Sequence, residues 1–509
     1  MRKKTLLYRG ALKSCNYHCS YCPFSKHPLS EGELRRDREQ WEEFYPRLVK
    51  TARSRRIGAV MLVPYGEALI HPWYWEGLAV LSQSPDLDAV GAQSNFSFPL
   101  EPSIRQYVQA GGILSKLRIW ATFHPEMVSA GDFAAKCREA EKAGLTLCAG
   151  AVGVPENLDL IRKLRALLPE EIYLWVNQMD GLKRPYTQEE IDGFFQIDPY
   201  FYRELQKVKA EPDRCAGRFF AEGDGRLFPC NISRFSMGSW REWLPEEAAG
   251  REPSLPQTAS FAPKCARKIC SCYLAYGGRR ELMNHVLFGP YPLFRIPRRP
   301  RAAFFDVDGT LIPAGNAAGD EPGAAAAAEI IPEDIQIGLK VLAEREHTQL
   351  FFATTLPEKE ALKRCREVRR YFRGGVFAGG AHIRLDDREI FYQIPEECAV
   401  FLKEAEKLRR FSMLVYREEG EGRIYKITLL RPRRRPWKEE EARALFASLP
   451  KMEEPLRFVI EGHCMEILPS KADKAGGAEL LCQWLGISPE DAVAAGDGEE
   501  DALMMERFP

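Results

Sequence analysis

Three cysteines crowd into one short stretch near the N-terminus, Ser14-Cys15-Asn16-Tyr17-His18-Cys19-Ser20-Tyr21-Cys22-Pro23-Phe24. So short a loop brings Cys15, Cys19 and Cys22 to one metal centre, and thiolate sulfur suits iron-sulfur clusters and zinc. The count discriminates. A [4Fe-4S] cluster normally takes four cysteines, so three leave one iron open to a ligand that is not protein, as an open position marks a catalytic metal. The alternative is a structural zinc completed by His18, His27 or a distant residue. A second constellation, Ala303-Phe304-Phe305-Asp306-Val307-Asp308-Gly309-Thr310-Leu311, sets two carboxylates just past an apolar run, with Gly309 letting the chain turn tightly around an anion.

A third group gathers Cys215, Cys230, Cys265, Cys270 and Cys272. Gly223-Asp224-Gly225 reads as a hairpin turn that folds two short strands back so that the flanking thiols converge. Four thiolates serve a cluster or a structural zinc, and spacing chooses neither between them nor among Cys265, Cys270 and Cys272. Cys137, Cys148, Cys365, Cys398, Cys464 and Cys482 stand singly and read as small buried hydrophobes.

The elements that must position these groups follow from apolar runs. Ala59-Val60-Met61-Leu62-Val63, Leu117-Arg118-Ile119-Trp120-Ala121, Leu145-Thr146-Leu147-Cys148 and Ile172-Tyr173-Leu174-Trp175-Val176 read as buried parallel strands separated by helical stretches, so residues 1–205 form repeated βα units and a partial or full (β/α) barrel. Residues 206–289 break into cysteine-bearing loops, and the Pro- and Arg-rich residues 290–301 read as an interdomain linker. A second α/β unit occupies residues 302–509, and its Ala- and Gly-rich residues 314–328 read as a loose surface loop.

The first cysteine group resembles the radical S-adenosylmethionine (radical SAM) superfamily, whose CxxxCxΦC motif is matched by Cys15, Cys19, Tyr21 and Cys22. The resemblance implies that the open iron chelates S-adenosylmethionine and that an electron from the [4Fe-4S] cluster cleaves it to a 5′-deoxyadenosyl radical. Pro64-Tyr65-Gly66-Glu67-Ala68 resembles the family's Gly-Gly-Glu-Pro motif, with Gly66 and Glu67 implied to receive the methionyl ammonium group; Tyr65 and Ala68 depart from that pattern. Ser94-Asn95 and Ala149-Gly150-Ala151-Val152-Gly153 lie where the family contacts ribose and adenine, or are turns and close packing. His124 and Asn177 at strand ends face the substrate chamber or serve as caps. The later cysteines resemble SPASM or twitch extensions, which implies an auxiliary [4Fe-4S] cluster, and the layout implies a reductant such as flavodoxin or ferredoxin.

Residues 303–311 resemble the first motif of the haloacid dehalogenase (HAD) superfamily. By that resemblance Asp306 is nucleophile and Mg2+ ligand and Asp308 the acid and base; Thr354 binds phosphate, Lys474 neutralises it with Lys471 as rival, and Asp497 and Asp501 hold the metal. Asp308 is counted among the metal ligands as well. Residues 384–465 resemble a large α+β cap. Glu500 stands where many members have asparagine.

The balance of 72 basic and 72 acidic residues gives no electropositive excess for a nucleic-acid partner. No apolar run approaches a membrane span, and the expected location is the cytoplasm. The expectation is thus an α/β protein with a barrel, an auxiliary cluster region and a Rossmann-like hydrolase with cap, acting on a small, phosphorylated molecule by a radical step and a phosphate hydrolysis. The rivals are an inactive phosphate-binding second domain and a non-catalytic metal-binding protein.

Overall fold

The computed structural model describes residues 3–23, 28–205, 208–209, 218–231, 233, 235–246, 269–270, 282–313, 330–407 and 411–508. Cys215, Cys265, Cys272 and residues 314–328 lie outside them. The chain divides into two compact units, Met1–Arg298 and Arg299–Pro509. No helix among the described residues is long and apolar enough to cross a membrane.

In the first unit, strands β1 (Lys4–Gly10), β2 (Ile57–Leu62), β3 (Ala89–Ser94), β4 (Leu117–Phe123), β5 (Thr146–Gly153) and β6 (Leu174–Gln178) lie side by side in chain order, all parallel. Between them run α1 (Glu31–Arg55), α2 (Pro72–Gln83), α3 (Leu100–Gln109), α4 (Ala130–Lys142) and α5 (Leu158–Leu167), followed by α6 (Gln188–Ile197) and α7 (Phe201–Leu205). Helix α1 starts at a Ser30–Glu33 capping box and buries Trp41, Phe44, Leu48 and Ala52 on one stripe. β7 (Val208–Lys209) pairs with β10 (Ile269–Cys270), which describes the Cys270 backbone alone. β8 (Arg218–Glu222) runs parallel to β1 and turns back through Gly223–Gly225 into antiparallel β9 (Leu227–Phe228), so the expected hairpin also extends the main sheet. α8 (Trp240–Trp243) and α9 (Leu282–Phe288) follow.

The segment expected to be a linker is not one over residues 290–298. Arg295 is fully buried, its guanidinium 4.2 Å from the Trp120 ring centroid and 3.9 Å from that of Trp175, and it donates to Asn177 Oδ1. Tyr291 donates to Asp88, and the Phe294 carbonyl accepts from Cys148. Apolar content and ring stacking hold this chain against the sheet despite its proline content.

In the second unit, β11 (Ala302–Phe305), α10 (Glu333–Lys340), β12 (Gln349–Ala353), α11 (Glu358–Arg364), β13 (Phe372–Phe377), β14 (His382–Leu385) and β15 (Arg388–Phe391) precede an inserted layer. That layer comprises α12 (Glu396–Glu406), β16 (Ser412–Arg417), β17 (Ile424–Leu430), α13 (Glu439–Ala447), β18 (Leu456–Glu461) and β19 (Cys464–Pro469). α14 (Lys474–Leu485), β20 (Ala492–Ala495) and α15 (Glu499–Arg507) complete the unit. The main sheet has the order β15-β14-β13-β12-β11-β20, parallel from β20 to β13. The insertion is a separate antiparallel sheet, β16-β17-β19-β18. The expected cap boundaries shift accordingly: β14 and β15 hydrogen-bond onto β13 as the antiparallel edge of the main sheet, and the cap sheet runs on through Pro469.

Candidate functional site

The first unit has a cavity of about 230 Å³ beyond the C-terminal ends of its parallel strands, lined by Cys15, Cys19 and Cys22 together with Arg9, Glu67, Asn95, His124 and Asn177. Parallel winding brings strand-end residues from different βα units to one edge. The cysteine loop is held from two sides. The Asn95 amide donates to Asn16 Oδ1 at 3.0 Å and to Cys15 Sγ at 3.5 Å, and the Tyr17 N–H reaches the same sulfur at 3.4 Å. On the other side Glu126 accepts the Ser20 N–H at 2.7 Å, and Tyr21 Oη lies 2.9 Å from His124 Nδ1. Gly66 is dictated by close approach: a Cβ there would fall 1.9 Å from the Ser14 carbonyl oxygen.

Burial pushes the Cys19 thiol up to about 11, with Cys22 and Cys15 adding to it, and burial likewise raises Cys15. A cation bound among these sulfurs reverses that preference, because the thiolate is its ligand. Burial also lowers His124 to about 4.

Glu67 lines this cavity and is also tied into the fold. Its carboxylate is buried and accepts from Leu69 N at 3.0 Å, Ser94 Oγ at 2.8 Å and Asn95 N at 2.6 Å. It therefore staples the turn after β2 to the turn after β3, with its oxygens largely engaged by protein donors. Tyr65, standing for a glycine, accepts from Arg9 at 2.9 Å beneath its guanidinium. Gly150 makes room for the Trp120 indole, since a Cβ would fall 2.2 Å from Nε1. Cys230 is partly exposed at the far side of the hairpin. Arg9 lines the cavity, and Arg295 supports it from behind through Asn177; nothing local in the sequence distinguishes either from a surface arginine.

In the second unit the strand order reverses between β11 and β20, so the loops leaving their C-terminal ends part and open a crevice. Asp306 follows β11, and Asp497 and Asp501 follow β20; one oxygen from each lies within 4.8 Å of the others. Among the described residues this is the one trio of His, Cys, Asp or Glu ligand atoms so close. Three hard oxygens suit Mg2+. Lys474 Nζ sits 2.9 Å from Asp306 and 2.8 Å from Asp501, all three buried. It opens α14, where Asp473 caps the helix by accepting Gly476 N–H at 2.7 Å. Lys471 instead pairs with Glu454 at 3.3 Å on the surface. Burial raises Asp306 to about 6, against the opposing pull of Lys474.

Gly309 takes φ +81°, and a Cβ there would meet Asp497 at 2.1 Å. Thr354 directly follows β12 and is fully buried, its Oγ accepting from Leu356 N at 3.1 Å. Asp308 stands outside the carboxylate trio: its side chain is paired with Arg364 of α11. Glu500 pairs at 2.6 Å with Arg457 of β18, whose guanidinium also reaches the carbonyls of Ala472 and Gly379, and Lys426 of β17 reaches the Thr355 carbonyl at 2.6 Å. One face of the cap sheet thus bonds to the turn after Thr354, to the loop before Lys474 and to the first turn of α15, which carries Asp501. Arg364, Arg457 and Lys426 lacked any motif in the sequence.

A protein-family model for haloacid dehalogenase-like hydrolases matches residues 416–509. A phosphoglycolate phosphatase from Methanopyrus kandleri is 30% identical over 136 residues, 26% of this chain and 56% of the relative, so the chain spans little more than half the length of that curated protein. Solved structures that align include a haloacid dehalogenase-like hydrolase from Bacteroides thetaiotaomicron (TM-score 0.33, 17% identity, 41% of this chain and 85% of that one) and another from B. subtilis (TM-score 0.31, 15% identity, 41% and 86%). The C-terminal region of the chain carries a haloacid dehalogenase-like hydrolase domain on an α/β, Rossmann-like core.

Proposed function

We propose that the chain joins two activities: a radical SAM reaction in the first unit and Mg2+-dependent hydrolysis of a small phosphate ester in the second. The observation that carries the first is the opening of three thiols onto one strand-end cavity. The sequential strand order supports reading the sheet as a partial (β/α) barrel wall. Three thiols on one loop, facing a cavity with room for a further ligand, suit a [4Fe-4S] cluster with one open iron. Bound there, the cluster and S-adenosylmethionine supply a hydrogen-abstracting adenosyl radical. The chain's own residues fix the ligand loop through Asn95, Glu126 and His124 and wall the cavity with Arg9, Thr122 and Asn177.

Cys230, with Cys215, Cys265, Cys270 and Cys272, is proposed to hold an auxiliary [4Fe-4S] cluster, and a flavodoxin or ferredoxin to supply electrons. The proposed location is cytoplasmic. In the second unit Asp306 serves as nucleophile toward phosphorus and displaces the ester oxygen, Lys474 neutralises the phosphoryl oxygens, and Asp308 gives a proton to the leaving oxygen and then takes one from the water that frees phosphate from Asp306. Mg2+ held by Asp306, Asp497 and Asp501 supplies charge neutralisation there. The rival reading, a phosphate-binding domain without turnover, is separated by phosphate release from a generic ester: Mg2+-dependent release abolished by Asp306→Asn supports the enzyme, and none from the wild type overturns it. Anaerobic reconstitution must yield 5′-deoxyadenosine, lost in Cys19→Ala; zinc uptake with no such product refutes the radical reading.

A further inference from the structure

We propose that Asn95 is a positioning residue that tunes the reduction potential of the cluster held by the cysteine loop, through an N–H⋯S hydrogen bond to Cys15. The inference rests on the radical SAM reading and assigns Asn95 a role other than contact with the ribose.

The geometry is set by a chain of contacts. Glu67 is buried and its carboxylate takes the backbone N–H of Asn95 at 2.6 Å and the Ser94 hydroxyl at 2.8 Å, while Ser94 Oγ in turn accepts the Phe96 N–H at 2.9 Å. Phe96 adopts a left-handed backbone (φ 60°), so the turn after β3 is tightly specified. Within it, Asn95 Oδ1 accepts the Ser97 N–H at 3.0 Å. That bond decides the amide orientation: exchanging oxygen and nitrogen would set two donors against each other and turn the oxygen toward sulfur. The Asn95 NH2 group therefore faces Cys15 Sγ at 3.5 Å and Asn16 Oδ1 at 3.0 Å, beside the Tyr17 N–H at 3.4 Å from the same sulfur. Asn16 is itself tied to Ser97 at 3.0 Å. Cys15 thus receives two N–H groups from a preformed frame.

Hydrogen bonds to a cysteine ligand draw negative charge from sulfur and favour the more electron-rich oxidation state, a lever by which proteins set cluster potentials. Glu67 acts one step further away by holding the Asn95 backbone.

The test uses the full-length chain, reconstituted anaerobically with iron and sulfide, with wild type, Asn95→Asp and Asn95→Leu compared. Iron and sulfide content is measured first, followed by EPR-monitored redox titration without substrate. Asn95→Asp keeps the oxygen that accepts from Ser97 and removes the donor; Asn95→Leu keeps the approximate volume. Both variants are expected to fill with cluster and to titrate at a more negative potential than wild type. An unchanged midpoint in a filled Asn95→Asp protein overturns the proposal, as does lost cluster content with no shift in the fraction that binds. Wild type that assembles no iron-sulfur cluster sinks the radical SAM reading itself, a separable outcome.

Discussion

The Arg364 guanidinium grips both carboxylate oxygens of Asp308, at 2.7 and 3.0 Å, joining the end of α11 to the loop after β11. A fork-shaped pair of this kind fixes direction as well as distance. Asp308 is consequently presented at the crevice in one orientation, two residues from the proposed nucleophile.

From that pair, Arg364→Ala is expected to lower kcat for phosphate-ester hydrolysis by roughly 10-fold, with KM little changed, because the acid loses its fixed geometry. Asp308→Asn is expected to cost roughly 10²- to 10⁴-fold. Steady-state kinetics of the two single variants and the double variant checks this, and the double should lose little more than Asp308→Asn alone. A rise in KM alone for Arg364→Ala would assign the arginine to substrate binding instead.

Lys474 neutralises Asp306 and Asp501 while all three are buried. Lys474→Met leaves two adjacent carboxylates without their cation, and metal-free protein is expected to lose about 3 kcal/mol of stability in the second unit. Mg2+ should restore more stability to the variant than it adds to wild type, since the ion takes over the missing charge. Calorimetric scans with chelator and with Mg2+ decide this, and equal Mg2+ shifts for both proteins count against the carboxylate trio as a metal site.

Glu67 accepts from three donors of its own unit. In Glu67→Gln one side-chain NH2 must face a backbone or hydroxyl donor, so the first unit is expected to lose about 1–3 kcal/mol. Urea unfolding followed by signals from that unit measures it. A neutral result would mean that the carboxylate is not the staple between the turns after β2 and β3.

His124 sits among Tyr21, Tyr17 and Glu126, and burial lowers it from 6.5 to about 4 in spite of the Glu126 charge. Above pH 6.5 it is neutral folded and unfolded and has no effect. Below that, the unfolded chain takes the proton first, so stability falls as pH drops from about 6.5 to about 4, by up to about 1.4 kcal/mol per unit. Melting of the first unit in apoprotein should therefore be less acid-sensitive in His124→Gln than in wild type, and parallel curves would contradict it.

Local pattern alone determined a good deal. The cysteine loop, the Asp306-Val307-Asp308-Gly309 turn and the apolar strands are written in consecutive residues, because backbone periodicity and turn chemistry act over a few positions. Hence the βα repeats and the hairpin at Gly223–Gly225 were legible in the sequence, whereas the crevice beside Asp306 follows from the order of β11 and β20 in the sheet. The pairings that give these groups their roles were not legible. Glu67 and Lys474 stand out in the sequence by their motifs, but that Ser94 and Asn95 close on Glu67, and that Lys474 meets an aspartate 168 positions earlier, is decided by the fold. Residues 290–298 look like a linker by composition and are buried because Trp120 and Trp175 accept Arg295 between them. Such partners are chosen by the packing of distant strands and by the cost of leaving a buried charge alone, and neither is encoded in spacing along the chain.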